Sequence, residues 1–296
     1  IWSILALLLL SVNTLLLSIF NGRQEVYFLV FSNIAGSLIG LILIWILVGK
    51  FQLYGALVAV TFYQAIGVFV TIALAKKTSW FNFQSIYGSP DKLALLNLSR
   101  FSIMTFCTAL SEPVSHILVR NHLGDSISLE AAGLREGMWR LSGAYLMVIT
   151  TTLSVYYLPK LSSLKNPLLL RYEIFKTCQI VIPIALLCSF IIYSSRDLLI
   201  LMLFDEQFEQ MEQLFFWQMV GDSLKISSWL FGYVLTAKAM VGLYVLSELI
   251  FSGVFYLVTV YFTSQYGLEG VSIAHAFTYL LHLFFMVLIL KLKRII

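Results

Sequence analysis

The chain has 296 residues, 60% of them hydrophobic and only 11% charged, with a mean hydropathy of +0.91. A soluble domain carries roughly 25% charged residues, so the composition excludes a soluble enzyme and a nucleic-acid-binding module. The net charge of +4 is then read as loop bias in a membrane protein, where excess Lys and Arg sit on the cytoplasmic side.

The apolar residues come in long unbroken runs, not in the short alternating strands of an outer-membrane barrel. The predicted fold class is therefore all-α, a polytopic membrane helical bundle. Nine spans are predicted, at about 1–20, 26–49, 54–75, 98–120, 130–157, 174–194, 210–236, 240–262 and 268–290. Each is long enough to cross a core of about 30 Å at about 1.5 Å per residue. The chain starts Ile1-Trp2-Ser3-Ile4, with no initiator Met and no charged region ahead of the first apolar run. The expectation is a piece that lacks its original front.

The first three spans carry no charge in their interiors. Residues 76–97 form the longest polar connection, with Ser79-Trp80-Phe81-Asn82 and Gly88-Ser89-Pro90. They are read as a cytoplasmic linker between a three-span portion (1–75) and a six-span bundle (98–296). Three missing front spans would complete a twelve-helix, six-plus-six protein of paired repeats, as many transporters have.

The last six spans do carry charges, which cost about 2.5–3.5 kcal/mol each at the bilayer centre on insertion scales. In the fourth span Glu112, His116 and Arg120 recur every four residues and share one stripe, with Ser111 and Ser115 nearby and Pro113 able to bend the helix. They line a hydrophilic cavity or form an internal packing network. In the fifth, Glu136 and Arg140 are four apart and Arg135 is adjacent, while Gly133, Gly137 and Gly143 permit close helix contact. Arg140 either grips a phosphate in two-pronged fashion or pairs with Glu136. In the seventh, Asp222 and Lys225 lie three apart on one face, as a self-neutralising pair or as a cation- or proton-sensitive site. Glu248 is alone in the eighth span. His275 and His282 share a face in the ninth, as packing groups or as proton carriers.

Loop charges set the orientation. With the first connection cytoplasmic, 13 of the 19 basic residues fall on that side and only Lys50, Arg120 and Arg196 on the other. This positive-inside bias puts the C-terminus in the cytoplasm. The loop with Asp197, Asp205, Glu206, Glu209 and Glu212 then faces outward, and its Leu198–Phe204 stretch, too short to span, lies at the interface. Cys107, Cys178 and Cys188 sit in apolar runs without metal-type spacing and read as buried free thiols. No Walker loop, His-Glu-x-x-His, Asp-x-Asp or Gly-x-Ser-x-Gly is present. No cofactor, no metal and no nucleic-acid partner is expected.

Three ordered segments carry a resemblance. They are Met138-Trp139-Arg140-Leu141-Ser142-Gly143-Ala144-Tyr145 running on to Leu158-Pro159-Lys160-Leu161-Ser162; Phe216-Trp217-Gln218-Met219-Val220-Gly221-Asp222-Ser223-Leu224-Lys225; and Phe231-Gly232-Tyr233-Val234-Leu235-Thr236-Ala237-Lys238-Ala239. Together they resemble the Wzx-type polysaccharide flippases of the multidrug/oligosaccharidyl-lipid/polysaccharide (MOP) exporter superfamily, on the O-antigen and enterobacterial common antigen side. The resemblance covers nearly the whole chain and is strongest from about 129 to 296. It implies twelve helices in two six-helix bundles, of which this chain supplies the fourth to the twelfth. It implies a bacterial inner-membrane protein that moves undecaprenyl-pyrophosphate-linked oligosaccharide from the cytoplasmic to the periplasmic leaflet. A glycan polymerase and chain-length machinery are the implied partners.

Under that resemblance Arg120, Arg196, Asp222 and Lys225 fall where similar flippases carry charge. Gly143 departs from an Asp of the relative, and Arg140 and Glu112 are charges that the relative lacks. The expected roles are anion contact for Arg120, Arg140 and Arg196, and gating or ion coupling for Asp222, Lys225, Glu112 and His116. A cation-driven drug exporter of the same superfamily is the alternative, with a membrane glycan polymerase or acyltransferase a second.

Overall fold

The computed structural model describes residues 2–63, 65–82 and 91–296, and every regular element among them is helical. Seven stretches are long and apolar enough to cross a membrane. The difference from the nine predicted spans has two physical sources. The second and third spans are joined as α2 (Val26–Phe62), which kinks at Gln52 (φ 46°, ψ −126°) inside the loop predicted at 50–53, and the third span is not one helix, since α3 (Val68–Ala75) follows as a separate short piece. The seventh span forms a full helix, α9 (Glu212–Ala237), whose many polar residues keep its mean hydropathy low.

The chain divides into two compact units, residues 1–90 and 91–296. In the first, α1 (Trp2–Gly22) packs against α2 and α3. Asn13 and Thr71 hydrogen-bond at 2.7 Å inside it, giving two buried polar groups a shared partner. The Trp80 indole N–H donates to both oxygens of Glu25 at 3.1 Å, so a residue of the predicted linker is tied to the first loop. The close approach of backbone at the break requires Gly55: a Cβ there would lie 1.9 Å from the Leu47 carbonyl oxygen. Residues 83–90 of the predicted linker lie outside the described residues.

The second unit begins with α4 (Lys92–Ser126), capped by the Asp91 carboxylate and starting six residues before its predicted span. Ser128 caps α5 (Leu129–Thr152), which continues through one π-helical turn (Leu153–Tyr157) into α6 (Leu158–Ser163). Asn166 caps α7 (Pro167–Ser194). The expected interfacial stretch is α8 (Arg196–Leu203), with Leu198, Leu201, Met202 and Leu203 exposed. A 3₁₀ turn (Glu206–Met211) leads into α9, and α10 (Val241–Tyr266) and α11 (Glu269–Leu292) complete the unit.

The hub is α9, which packs on α11, α7, α5 and α6, while α10 packs on α11 and α4. Its residues come in three layers. Leu214, Phe215 and Met219 join one apolar cluster with Met138, Val119 and Val271. Leu230, Val234 and Leu235 join a second with Tyr157, Ile174 and Ile289. Between them lie Gln218, Asp222, Ser223, Lys225, Ser227 and Ser228, all buried. This polar stretch of α9 is thus heavily enclosed, because neighbouring helices supply the partners that lipid cannot.

Candidate functional site

That polar layer opens on a cavity of about 450 Å³ inside the second unit, lined by α4, α5, α9, α10 and α11. The volume lies in the range of small-molecule sites. Its charged and titratable lining is Glu112, His116, Arg135, Lys225, Glu248 and the pair His275 and His282. Aromatic rings from Trp139, Trp229, Tyr233 and Tyr279 stand among them.

Asp222 is completely buried and lies behind the wall of this cavity, not on it. Its carboxylate accepts from Ser142 and Tyr145 of α5, both at 2.7 Å, from Gln218 at 3.2 Å and from His275 Nε2 of α11 at 2.9 Å. The knot joins three helices, and the close fit depends on Gly221. A Cβ there would lie 2.3 Å from His275 Cδ2 and 3.0 Å from the Ala276 nitrogen. No salt bridge connects Asp222 to Lys225. The Lys225 ammonium instead sits 4.8 Å from the Trp229 ring centre and 5.1 Å from that of Tyr279, a cation–π arrangement on the cavity wall.

On the facing side Arg135 is 6% exposed. Its Nη2 donates to His116 Nδ1, its guanidinium stands 5.9 Å from the Trp139 ring, and its Nη1 has no hydrogen-bond partner. His116 Nε2 lies 3.9 Å from Glu112, one turn earlier on the same stripe of α4.

Of the residues singled out in sequence, Glu112, His116 and Lys225 are brought into one cavity and Asp222 stands directly behind it. Arg120, Arg140 and Arg196 are not brought there. Arg120 is exposed on α4. Arg140 is exposed and donates to Glu136 at 3.2 Å. Arg196, at the start of α8, donates to Glu212 at 2.9 Å and packs 4.8 Å from the Tyr193 ring; the bond to Glu212 holds its guanidinium above the usual range.

Sequence reasoning passed over Arg135 in favour of Arg140, although the signal was present. At about 100° per residue, Arg135 and Ser142 share a face and Arg140 does not. Tyr145, Gln218, Trp229 and Tyr279 were also missed as members of the site. Each is an ordinary bundle residue until its neighbours are known.

The fold and cavity define a polytopic helical membrane protein with a polar chamber inside its second unit. No family model matches the chain. Over 270 residues the chain is 30% identical to the lipid III flippase of Escherichia coli (strain K12) and, equally, to that of Shigella flexneri, covering 91% of this chain. It spans 65% of the length of these relatives. A crystal structure of a mutant of the Vibrio cholerae MATE transporter VcmN superposes with a TM-score of 0.84 at 15% identity, covering 99% of this chain and 69% of that one. A MATE structure in complex with MaL6 gives 0.77 at 13% identity, covering 96% and 67%. The chain is thus similar over most of its length to lipid III flippases, and its helices are arranged as in MATE transporter structures.

Proposed function

We propose that the protein is a flippase for undecaprenyl-pyrophosphate-linked oligosaccharide, moving it from the cytoplasmic to the periplasmic leaflet of a bacterial inner membrane. The observation that carries this is the 30% identity with lipid III flippases over 270 residues, 91% of the chain. The physical task fits the layer of polar groups between two apolar clusters. A glycan and a pyrophosphate need a path screened from hydrocarbon, with hydroxyls and aromatic rings for sugar and cations for phosphate. In this reading Arg135 and Lys225 are the cations that meet the anion. Arg120, Arg140 and Arg196 would act elsewhere along the path. Asp222 positions the wall for alternating access, probed by loss of transport in Asp222→Asn, and an ion gradient drives the cycle.

The test is made in cells that lack the gene. Lipid-linked oligosaccharide should accumulate and surface glycan disappear, both restored by the intact gene. Normal levels of both, in a strain with no second flippase, would end this reading.

A drug exporter is the second reading. It is favoured by the mixture of Glu112 and Glu248 with aromatic rings in a cavity of drug size. It predicts that deletion sensitises cells to cationic dyes and leaves surface glycan intact.

A further inference from the structure

The hydrogen bonds of the second unit divide it into two bodies. In one, α4 and α10 are stitched together along their length. Ser115 donates to the Ser252 carbonyl at 3.0 Å, and Ser252 donates back to the Ser111 carbonyl at 2.9 Å. Thr108 and Tyr244 bond at 2.9 Å, as do His122 and Thr263. In the other, α5, α7, α9 and α11 are joined through Asp222, through Ser189 with Ser223, and through Ser228 with His282. Across the seam the contacts are ring on ring, such as Phe251 with His282 (4.6 Å) and Phe255 with His275 (6.2 Å). Among the described residues a single side-chain hydrogen bond crosses that seam, from Arg135 to His116.

The cavity lies along this seam, and it holds three unsatisfied polar atoms. Arg135 Nη1, Ser272 Oγ and Thr278 Oγ1 are buried, line the cavity and lack hydrogen-bond partners. Arg135 and Ser272 belong to the same end, since their chain neighbours Leu134 and Val271 pack in one cluster. Arg135 Nη1 stands 4.0 Å from Glu136 Oε2, an ion-pair contact without a hydrogen bond, and a buried guanidinium N–H left without an acceptor costs free energy. An oxyanion is the natural occupant, and a guanidinium holds one best with two parallel N–H donors. Nη1 has no hydrogen bond to give up for that role, while Nη2 is spent on His116.

We propose that Arg135 is an oxyanion receptor whose bond to His116 is a latch between the two bodies. A two-pronged grip on the ligand takes Nη2 from His116 and frees the α4–α10 pair to move against the rest of the unit. The latch fits a seam that no other side-chain hydrogen bond crosses among the described residues, since ring contacts slide at little cost while stitched hydrogen bonds do not. The proposal rests on the flippase reading for the identity of the ligand, whose oxyanion is either the pyrophosphate or a carboxylate on the glycan.

The test uses the intact protein in lipid nanodiscs, with Cys107, Cys178 and Cys188 replaced by Ala and spin labels attached in pairs. One pair, Leu257→Cys on α10 and Phe284→Cys on α11, spans the seam at exposed positions. The control pair, Phe190→Cys on α7 and Phe284→Cys, stays within one body. Inorganic pyrophosphate or glucuronate should change the first distance distribution and leave the second unchanged. A response to one probe alone identifies the source of the oxyanion. His116→Ala should shift the seam pair without any ligand. Arg135→Gln should raise the concentration needed for the response about tenfold or more, the scale of a lost charged hydrogen bond. No response of the seam pair to either probe, equal movement of both pairs, or an unchanged response in Arg135→Gln would each overturn the proposal. The surface-glycan rescue assay reads the flippase function separately, so the latch and the transported substrate fail independently.

Discussion

At the scale of single residues, the chemistry turns on two buried charges with opposite situations. Asp222 is fully served: four donors from α5, α9 and α11 surround its carboxylate. Arg135 is hydrogen-bonded on one side only, through Nη2 to His116, while Nη1 has just a 4.0 Å ion-pair contact with Glu136. Asp222→Asn puts an amide N–H where Ser142, Tyr145 or His275 already donates. We expect it to cost about 1–3 kcal/mol, the price of an unpaired buried donor, read as a lower melting temperature in detergent. On the proposed flippase function, transport should fall further than the folded fraction, because the His275 wall loses its anchor. An unchanged melting temperature would show that the knot bears no strain in the folded protein. The sequence disclosed the importance of these positions by placing ionisable groups within apolar runs. It did not disclose which arginine of α5 faced inward, since Arg135 and Arg140 differ only in helical phase and the inward phase is set by the contacts of Ser142 and Tyr145 with α9.

At the scale of elements, α9 and α2 are the informative helices. Gly221 permits α9 and α11 to meet, and Gly221→Ala drives a methyl into His275 and the Ala276 backbone. Overpacking of this kind costs about 1–3 kcal/mol, so the variant should melt earlier, and a second change that shrinks His275 should return part of the loss. Gln52, at φ 46° and ψ −126°, occupies backbone space that suits glycine. Gln52→Gly should relieve about 1 kcal/mol of strain and raise the melting temperature; a fall would mean that the side chain, not the backbone, holds the break. Hydropathy predicted a loop at 50–53, and the break at Gln52 falls within it; what hydropathy had no means of finding is the second interruption, between Phe62 and Val68. The apolar composition continues across it, and only the packing of Gly36 and Gly40 near Gly67 and Tyr63 decides where the chain turns. The opposite holds for α9, whose polar residues lower its hydropathy although its length and phase mark a helix.

At the scale of the whole molecule, the positive-inside bias supplies a direct prediction. A cysteine placed after Lys293 should react with an impermeant maleimide in inverted vesicles and not in intact spheroplasts; the reverse pattern would invert the assigned orientation. The sequence by itself determined that the chain is helical, crosses a membrane many times, and keeps its charges in its last six spans. Those properties follow from composition and periodicity, which act locally and add along the chain. The relation to flippases is also written in sequence, as 30% identity over 270 residues. Tertiary structure decided what no local signal carries. It placed Asp222 behind the cavity and Lys225 on it, turned Arg135 inward while Arg140 stayed exposed, and divided the hydrogen bonds of the second unit along one apolar seam. These outcomes depend on which helices become neighbours, because a buried polar side chain is defined by the partners that other helices bring to it.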